Sequence, residues 1–151
     1  MIKHIRQATA ADAARLAEIE IFNYRMYFYP IFRADEFYFG EMQVPLLMAD
    51  YLQDAALLQR TFVYDDGAVK GFIRIQGEEI EKLFVEPVLH SKGIGAALLE
   101  YALGIQGCRV LWALEKNERA IAFYQRHGFH ATGDRKPEED TTEYLIRMEK
   151  K

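Results

Sequence analysis

The seventeen residues from Leu83 to Leu99 read Leu-Phe-Val-Glu-Pro-Val-Leu-His-Ser-Lys-Gly-Ile-Gly-Ala-Ala-Leu-Leu. An apolar strand stops at Pro87, a short polar loop follows, and Gly93-x-Gly95 opens an apolar helix. That order aims several free backbone N–H groups and the positive end of a helix at one point, which suits a phosphate or pyrophosphate. Alone, the same pattern also describes a helix start with two turn glycines and no ligand. A second segment, Asn117-x-x-Ala120-x-x-Phe123-Tyr124-x-x-x-Gly128-Phe129, sharpens the reading. Asn117 suits a helix N-cap, Gly128 suits a left-handed C-cap, and between them lies a phenol that can carry a proton.

These residues need elements to hold them. Alternating residues predict a first strand over Ile2–Gln7, and Thr9 with Asp12 three residues on predicts the start of a helix bearing Ala13, Leu16, Ala17 and Ile19 on its apolar side. Nine aromatic residues fall between Phe22 and Phe39. Pro30 and Pro45 interrupt this region, so the expectation is helix, break, then one or two short helices to about Gln53. Thr61–Tyr64 and Val69–Gln76 are strand-like runs joined by Asp65-Asp66-Gly67-Ala68, a hairpin signal. A turn at Gly77-Glu78 leads into a strand over about Glu79–Val85. The Gly93–Ile105 helix follows, then a buried strand over Arg109–Glu115 and a helix over Asn117–His127. Two closing strands are expected over Phe129–Asp134 and Thr142–Met148, with Pro137 in the loop between them. The order β-α-α-β-β-β-α-β-α-β-β describes an α/β fold with a mixed sheet flanked by helices.

The chain has 151 residues, suited to one domain over 1–151, and a net charge of −4 with no basic stripe, which disfavours nucleic acid. Between Asp12 and Asp66 there are ten acidic and four basic residues. That bias reads as a solvated acidic surface or as a site that attracts cations. The single cysteine, Cys108, excludes an intrachain disulfide and sits before an apolar run, so a buried structural thiol is expected. No metal-ligand spacing is visible. The N-terminal Met-Ile-Lys-His-Ile-Arg lacks the apolar core of a signal peptide and no run reaches membrane-span length, so a cytoplasmic protein without a membrane partner is expected.

The two segments, in this order and at this separation, resemble the GCN5-related N-acetyltransferases (GNAT), which use acetyl-CoA as cosubstrate. The element order is similar over nearly the whole chain. The resemblance implies a mostly antiparallel central sheet and a pyrophosphate cradle at His90, Ser91, Lys92, Gly93, Ile94, Gly95 and Ala96. His90 departs from the Gln or Arg common in the family. Leu83, Phe84 and Val85 resemble the family's splayed strand, whose backbone pairs with the pantetheine arm and whose N–H polarises the thioester carbonyl. Asn117, Ala120 and Phe123 match residues beside that arm. Tyr124 matches the general acid that serves the departing thiolate, the alternative being a core tyrosine packed beside Phe123.

For the general base, Glu81 is favoured, with Glu79 or water as alternatives. Strand periodicity would place both glutamates on one face with Leu83 and Val85. The resemblance implies a primary amine of a small molecule or peptide as acceptor, attacking the thioester directly, and a homodimer is common in the family. Tyr24, Tyr27 and Tyr29 are candidates to line the acceptor side, the other aromatic residues being expected in core or dimer contacts. A non-catalytic acyl-CoA sensor on the same fold is the competing reading. A dinucleotide enzyme is disfavoured because position 98 is Leu where a third glycine would fall.

Overall fold

The computed structural model describes residues 3–151. Seven strands form one sheet in the order β1-β2-β3-β4-β5-β7-β6: β1 Ile5–Gln7, β2 Thr61–Asp65, β3 Val69–Gln76, β4 Glu79–Val85, β5 Val110–Leu114, β6 Phe129–Pro137 and β7 Tyr144–Lys150. Every neighbouring pair is antiparallel except β4 and β5, which run parallel. The expected fold class therefore stands. β1 is shorter than expected, and Ile2 lies outside the described residues. Pro137 ends β6, an edge strand, where a missing N–H costs no ladder bond.

The parallel pair is joined through α5, Ile94–Gly104, which packs on the sheet face made by Phe62, Ile73, Ile80 and Val85. Ile94, Leu98 and Leu99 are buried there, each contributing about 1.5–3 kcal/mol of burial. The close approach depends on Gly71 in β3. A Cβ at this position would lie 3.0 Å from the Phe84 carbonyl oxygen and 3.2 Å from a Leu98 methyl. Helix α6, Glu118–Arg126, covers the other half of the same face, with Ile121, Phe123 and Tyr124 packed on the core.

The opposite face carries α1, Ala13–Asn23, α3, Val44–Gln53, and α4, Ala55–Gln59, while α2, Tyr29–Phe32, extends the line of α1. Here the expected break differs from the observed one. The chain stays helical past Pro30, through a wide i→i+5 turn over Tyr24–Phe28, and is interrupted at Arg33, whose φ is +53°. Pro30 falls in the first turn of α2, where its missing N–H and fixed φ are tolerated, and the widened turn ahead of it relaxes the helical ladder. Pro45 starts α3 in the same manner.

One polar cluster is buried between these helices and the sheet. The Glu20 carboxylate accepts from the Tyr51 hydroxyl at 2.7 Å and from Lys82 Nζ at 2.7 Å, and lies 3.7 Å from the Arg74 guanidinium. Glu20 and Arg74 are both almost fully buried. Removing the carboxylate strands Arg74 in the interior and takes from Lys82 its ion-pair partner. Glu20→Ala is expected to lower the unfolding free energy by about 3–5 kcal/mol, read by urea denaturation; a loss below about 1 kcal/mol would show that both cations reach water.

Candidate functional site

The sheet opens where β4 and β5 part. They pair only at Glu79↔Val110 and Ile80↔Leu111, while β5 continues alongside β7 over its full length. Beyond that point a cavity of about 740 Å³ occupies the gap, bounded by β4, β5, α6, the loop before α5 and the Tyr24–Phe28 turn. The Glu86 N–H donates to Lys70 of β3, so the period-two geometry of a strand turns the backbone groups of Val85 and Leu83 the other way, into the gap. The Val85 carbonyl accepts there from Asn23 Nδ2 and pairs with His90 Nε2, each at 2.8 Å. No such partner is found for the Leu83 N–H among the described residues.

β4 also contains a bulge. Arg74 pairs with Lys82 but Ile75 with Ile80, leaving Glu81 as the extra residue. This corrects the expected periodicity. Ile80, Leu83 and Val85 pack on the α5 face, whereas Glu79 and Glu81 alternate with Ile80 onto the opposite face, together with Lys82 and Phe84. The inserted residue reverses the alternation midway along the strand. Glu81 is moreover taken up in an ion pair with Arg60. Glu79 lines the cavity and has no ion-pair partner among the described residues.

At the far end of β4 the chain makes the expected turn into α5. Ser91 and Gly93 both have positive φ, +67° and +87°, so the backbone around Lys92 curves into a concave nest. Gly93 suits this conformation, while Ser91 holds it at some strain. The first helical bond runs from the Ala97 N–H to Gly93, and the N–H groups of Ser91, Lys92, Gly93, Ile94, Gly95 and Ala96 find no acceptor among the described residues. His90 stands apart: its N–H already reaches the Pro87 carbonyl, and its side chain turns back to β4. A Cβ at Gly95 would meet the Phe123 ring at 3.4 Å, an ordinary van der Waals contact, so the start of α5 lies beside this ring.

Asn117 caps α6 by accepting from the Ala120 N–H at 3.2 Å. The adjacent helix face brings Ala120, Phe123 and Tyr124 to the cavity wall. Tyr124 lies edge-on to Phe123 and Phe129. Burial pushes its phenol above the ordinary value, and its hydroxyl has no hydrogen-bond partner among the described residues. It is a neutral donor left free. Cys108 is fully buried, and burial pushes its thiol up to about 11, as expected of a structural residue. Tyr24 and Tyr27 line the cavity; Tyr29 does not, its hydroxyl donating to Asp35 at 2.5 Å.

Tyr27, a candidate for the acceptor side, and Arg119, absent from the sequence reading, complete the mouth. Tyr27 stacks on His90, with ring centroids 5.2 Å apart, and its hydroxyl meets His90 Nδ1 at 2.9 Å. Arg119 lies over the Tyr27 ring, 4.7 Å from its centroid, and also donates to His90 Nδ1. Since the Val85 carbonyl can only accept, His90 carries its proton on Nε2 and offers Nδ1 as acceptor, the neutral tautomer. Arg119 has no carboxylate partner among the described residues and so stands as a free cation beside the nest. Position +2 from Asn117 was the available signal, but nothing in the sequence says that an exposed helical arginine lacks an acid.

Fold and cavity together define an α/β protein with a split sheet and a cleft in the gap. Residues 58–131 match the acetyltransferase (GNAT) domain family. The chain is 34% identical over 87 residues to the peptidyl-lysine N-acetyltransferase YjaB of Salmonella typhimurium, a stretch covering 58% of this chain and 59% of that protein. It is 36% identical over 88 residues to YiaC of Escherichia coli, a protein with the same activity name, covering 58% of each. In these alignments the chain spans less than two thirds of each relative's length. The solution structure of apo YjaB from Escherichia coli superposes with a TM-score of 0.75 at 22% identity, covering 96% of this chain and 95% of that one. A coenzyme A complex of PaiA N-acetyltransferase from Thermoplasma acidophilum gives 0.67 at 20% identity, covering 95% and 96%. Over residues 58–131, just under half of the chain, the sequence matches the acetyltransferase (GNAT) family, and over nearly its whole length the fold matches these solved structures.

The tautomer of His90 has a consequence for stability. Burial, and then the charge of Arg119, lower its pKa from the ordinary 6.5, against the Val85 carbonyl, which raises it. As pH falls, the unfolded chain therefore takes up this proton first. The contribution of neutral His90 is complete above about pH 6.5 and is lost as pH falls toward the folded value. Urea denaturation at pH 7.5 and pH 5.5 should show a loss of stability that His90→Gln lessens; an equal loss in both proteins would assign it elsewhere.

Proposed function

We propose that the protein is an acetyl-CoA-dependent N-acetyltransferase, one domain over residues 1–151, acting in the cytoplasm on a primary amine of a small molecule or peptide. The observation that carries this reading is the meeting, in one cavity, of the unsatisfied N–H nest at Ser91–Ala96, the open backbone edge of β4 and the unpartnered Tyr124 hydroxyl. Relatives named as peptidyl-lysine N-acetyltransferases support an amine acceptor, and structural neighbours that hold coenzyme A and acetyl-CoA support the cosubstrate.

Acetyl-CoA supplies an acetyl group activated as a thioester. The nest receives its pyrophosphate through backbone N–H groups, with Arg119 released from His90 to add a charge-assisted contact. The Leu83 N–H is directed into the gap to donate to the thioester carbonyl, a donor fixed by the sheet before any charge develops. Glu79, rather than the ion-paired Glu81, takes the proton of the attacking amine. Tyr124 donates to the leaving sulfur, so that an N–C bond forms as the C–S bond breaks and CoA departs as a thiol.

Thermal unfolding with acetyl-CoA, CoA, NAD and ATP tests the cosubstrate. A ligand at a hundred times its Kd adds about 2.7 kcal/mol to the native state, and the expected shift is confined to acetyl-CoA and CoA; no shift with either removes the reading. Tyr124→Phe is expected to lower kcat by roughly 100-fold with the Kd for acetyl-CoA almost unchanged, followed by thiol release. Equal turnover would return Tyr124 to a packing role. Arg119→Ala is expected to weaken CoA binding about tenfold, about 1.4 kcal/mol, read by calorimetry; an unchanged Kd would leave Arg119 as a partner of His90 alone.

A further inference from the structure

The half of the cavity away from the nest holds charges that the scheme above leaves unused. Glu20 is the one carboxylate set against two cations, Arg74 and Lys82, and their other close partners, Tyr51 and Thr61, are neutral. Glu81, next in the chain, is matched by Arg60. The cluster thus carries one positive charge in excess. Lys82 is its outlet: the Lys82 side chain is 26% exposed against 4% for Glu20 and lines the cavity. The Lys82 ammonium sits 5.2 Å from the centroid of the Tyr24 ring. Because of the bulge, Lys82 shares the face of β4 that also carries Glu79, the carboxylate without an ion-pair partner among the described residues. Three residues of strand separate them by no more than about 10 Å. Around both stand Tyr24, Phe28, Phe84 and Trp112.

A cation and an anion on one face, walled by aromatic rings, complement a ligand that carries both charges and an apolar body. A bare alkylammonium would satisfy Glu79 but leave Lys82 facing a like charge, which works against such an acceptor. We propose, on the acetyltransferase reading above, that the acceptor is an apolar α-amino acid whose carboxylate is received by Lys82 and whose amine faces Glu79. Lys82 then determines which amine is chosen, not how fast the acyl group moves.

The test pairs L-phenylalanine, L-tryptophan and L-methionine with their carboxamides, beside a lysine-containing peptide blocked at both ends, each assayed with acetyl-CoA by thiol release. The free acids are expected to exceed the amides at least tenfold in kcat/KM, the difference lying in KM. Calorimetry on the enzyme–CoA complex should show L-phenylalanine binding more tightly than its amide. Lys82→Met should remove the preference while leaving the Kd for CoA within about twofold, and Lys82→Arg should retain it. Amides or the lysine peptide used as well as the acids, no acid accepted, or a preference that survives Lys82→Met would each overturn the proposal while CoA binding still upholds the enzyme. If Lys82→Met does not fold, the wild-type ratio of acid to amide decides by itself. Failure of CoA to bind would remove the underlying reading, and this one with it.

Discussion

Backbone N–H and C=O groups inside a protein must find partners, and beyond Ile80 and Leu111 those of β4 and β5 find none in each other. The parting of these two strands is the constraint from which the site follows. β5 stays with β7, β4 stays with β3, and the wedge between them is lined by main-chain groups at strand spacing. A flexible arm of alternating amides is the kind of ligand that such an edge can pair with, much as a peptide adds to an exposed strand. The crossover helix α5 begins at the wide end of the wedge, so the positive helix end and the open strand edge serve one elongated ligand from two directions.

The cavity's electrostatics come in two unlike parts. Around the nest, charge is carried by backbone dipoles and by Arg119, an arrangement that needs no acid and is indifferent to which residues flank it. On the other face of β4, charge is carried by side chains, and each depends on its neighbours. Glu20 is affordable in the interior because Tyr51, Lys82 and Arg74 gather on it. The β-bulge is what allows the two parts to coexist. By inserting Glu81, it presents Leu83 and Val85 to the α5 core while Lys82 and Phe84 turn toward α1.

Much of this was legible in the chain itself. The Asp-Gly hairpin, the Pro87 stop, the glycines before α5 and the Asn117 cap are local signals, and local chemistry placed them within a residue or two. The bulge was not legible, because it is a property of two strands and leaves no mark on one. It carried Glu81 off the predicted face and into the ion pair with Arg60. The continuation of helix past Pro30 escaped for a similar reason: a widened turn spares proline its usual cost, and only the packed structure shows which turn widens. Arg119 was invisible because its partner, His90, is distant in sequence, and the stacking of Tyr27 on His90 was hidden for the same reason. The aromatic run from Phe22 to Phe39 divided by position, Tyr24, Tyr27 and Phe28 facing the cavity while Phe37 and Phe39 remain exposed.

The contact of Gly95 with the Phe123 ring links parts that the chain order keeps separate. One belongs to the helix whose start receives an anion; the other precedes the phenol on a different helix. With no side chain at Gly95, the Phe123 ring borders the first turn of α5. The Phe123 ring in turn lies edge-on to Tyr124, so the start of α5 and the phenol share one neighbour. The end of the cleft that offers the nest and the end that offers the phenol thus lean on the same aromatic ring.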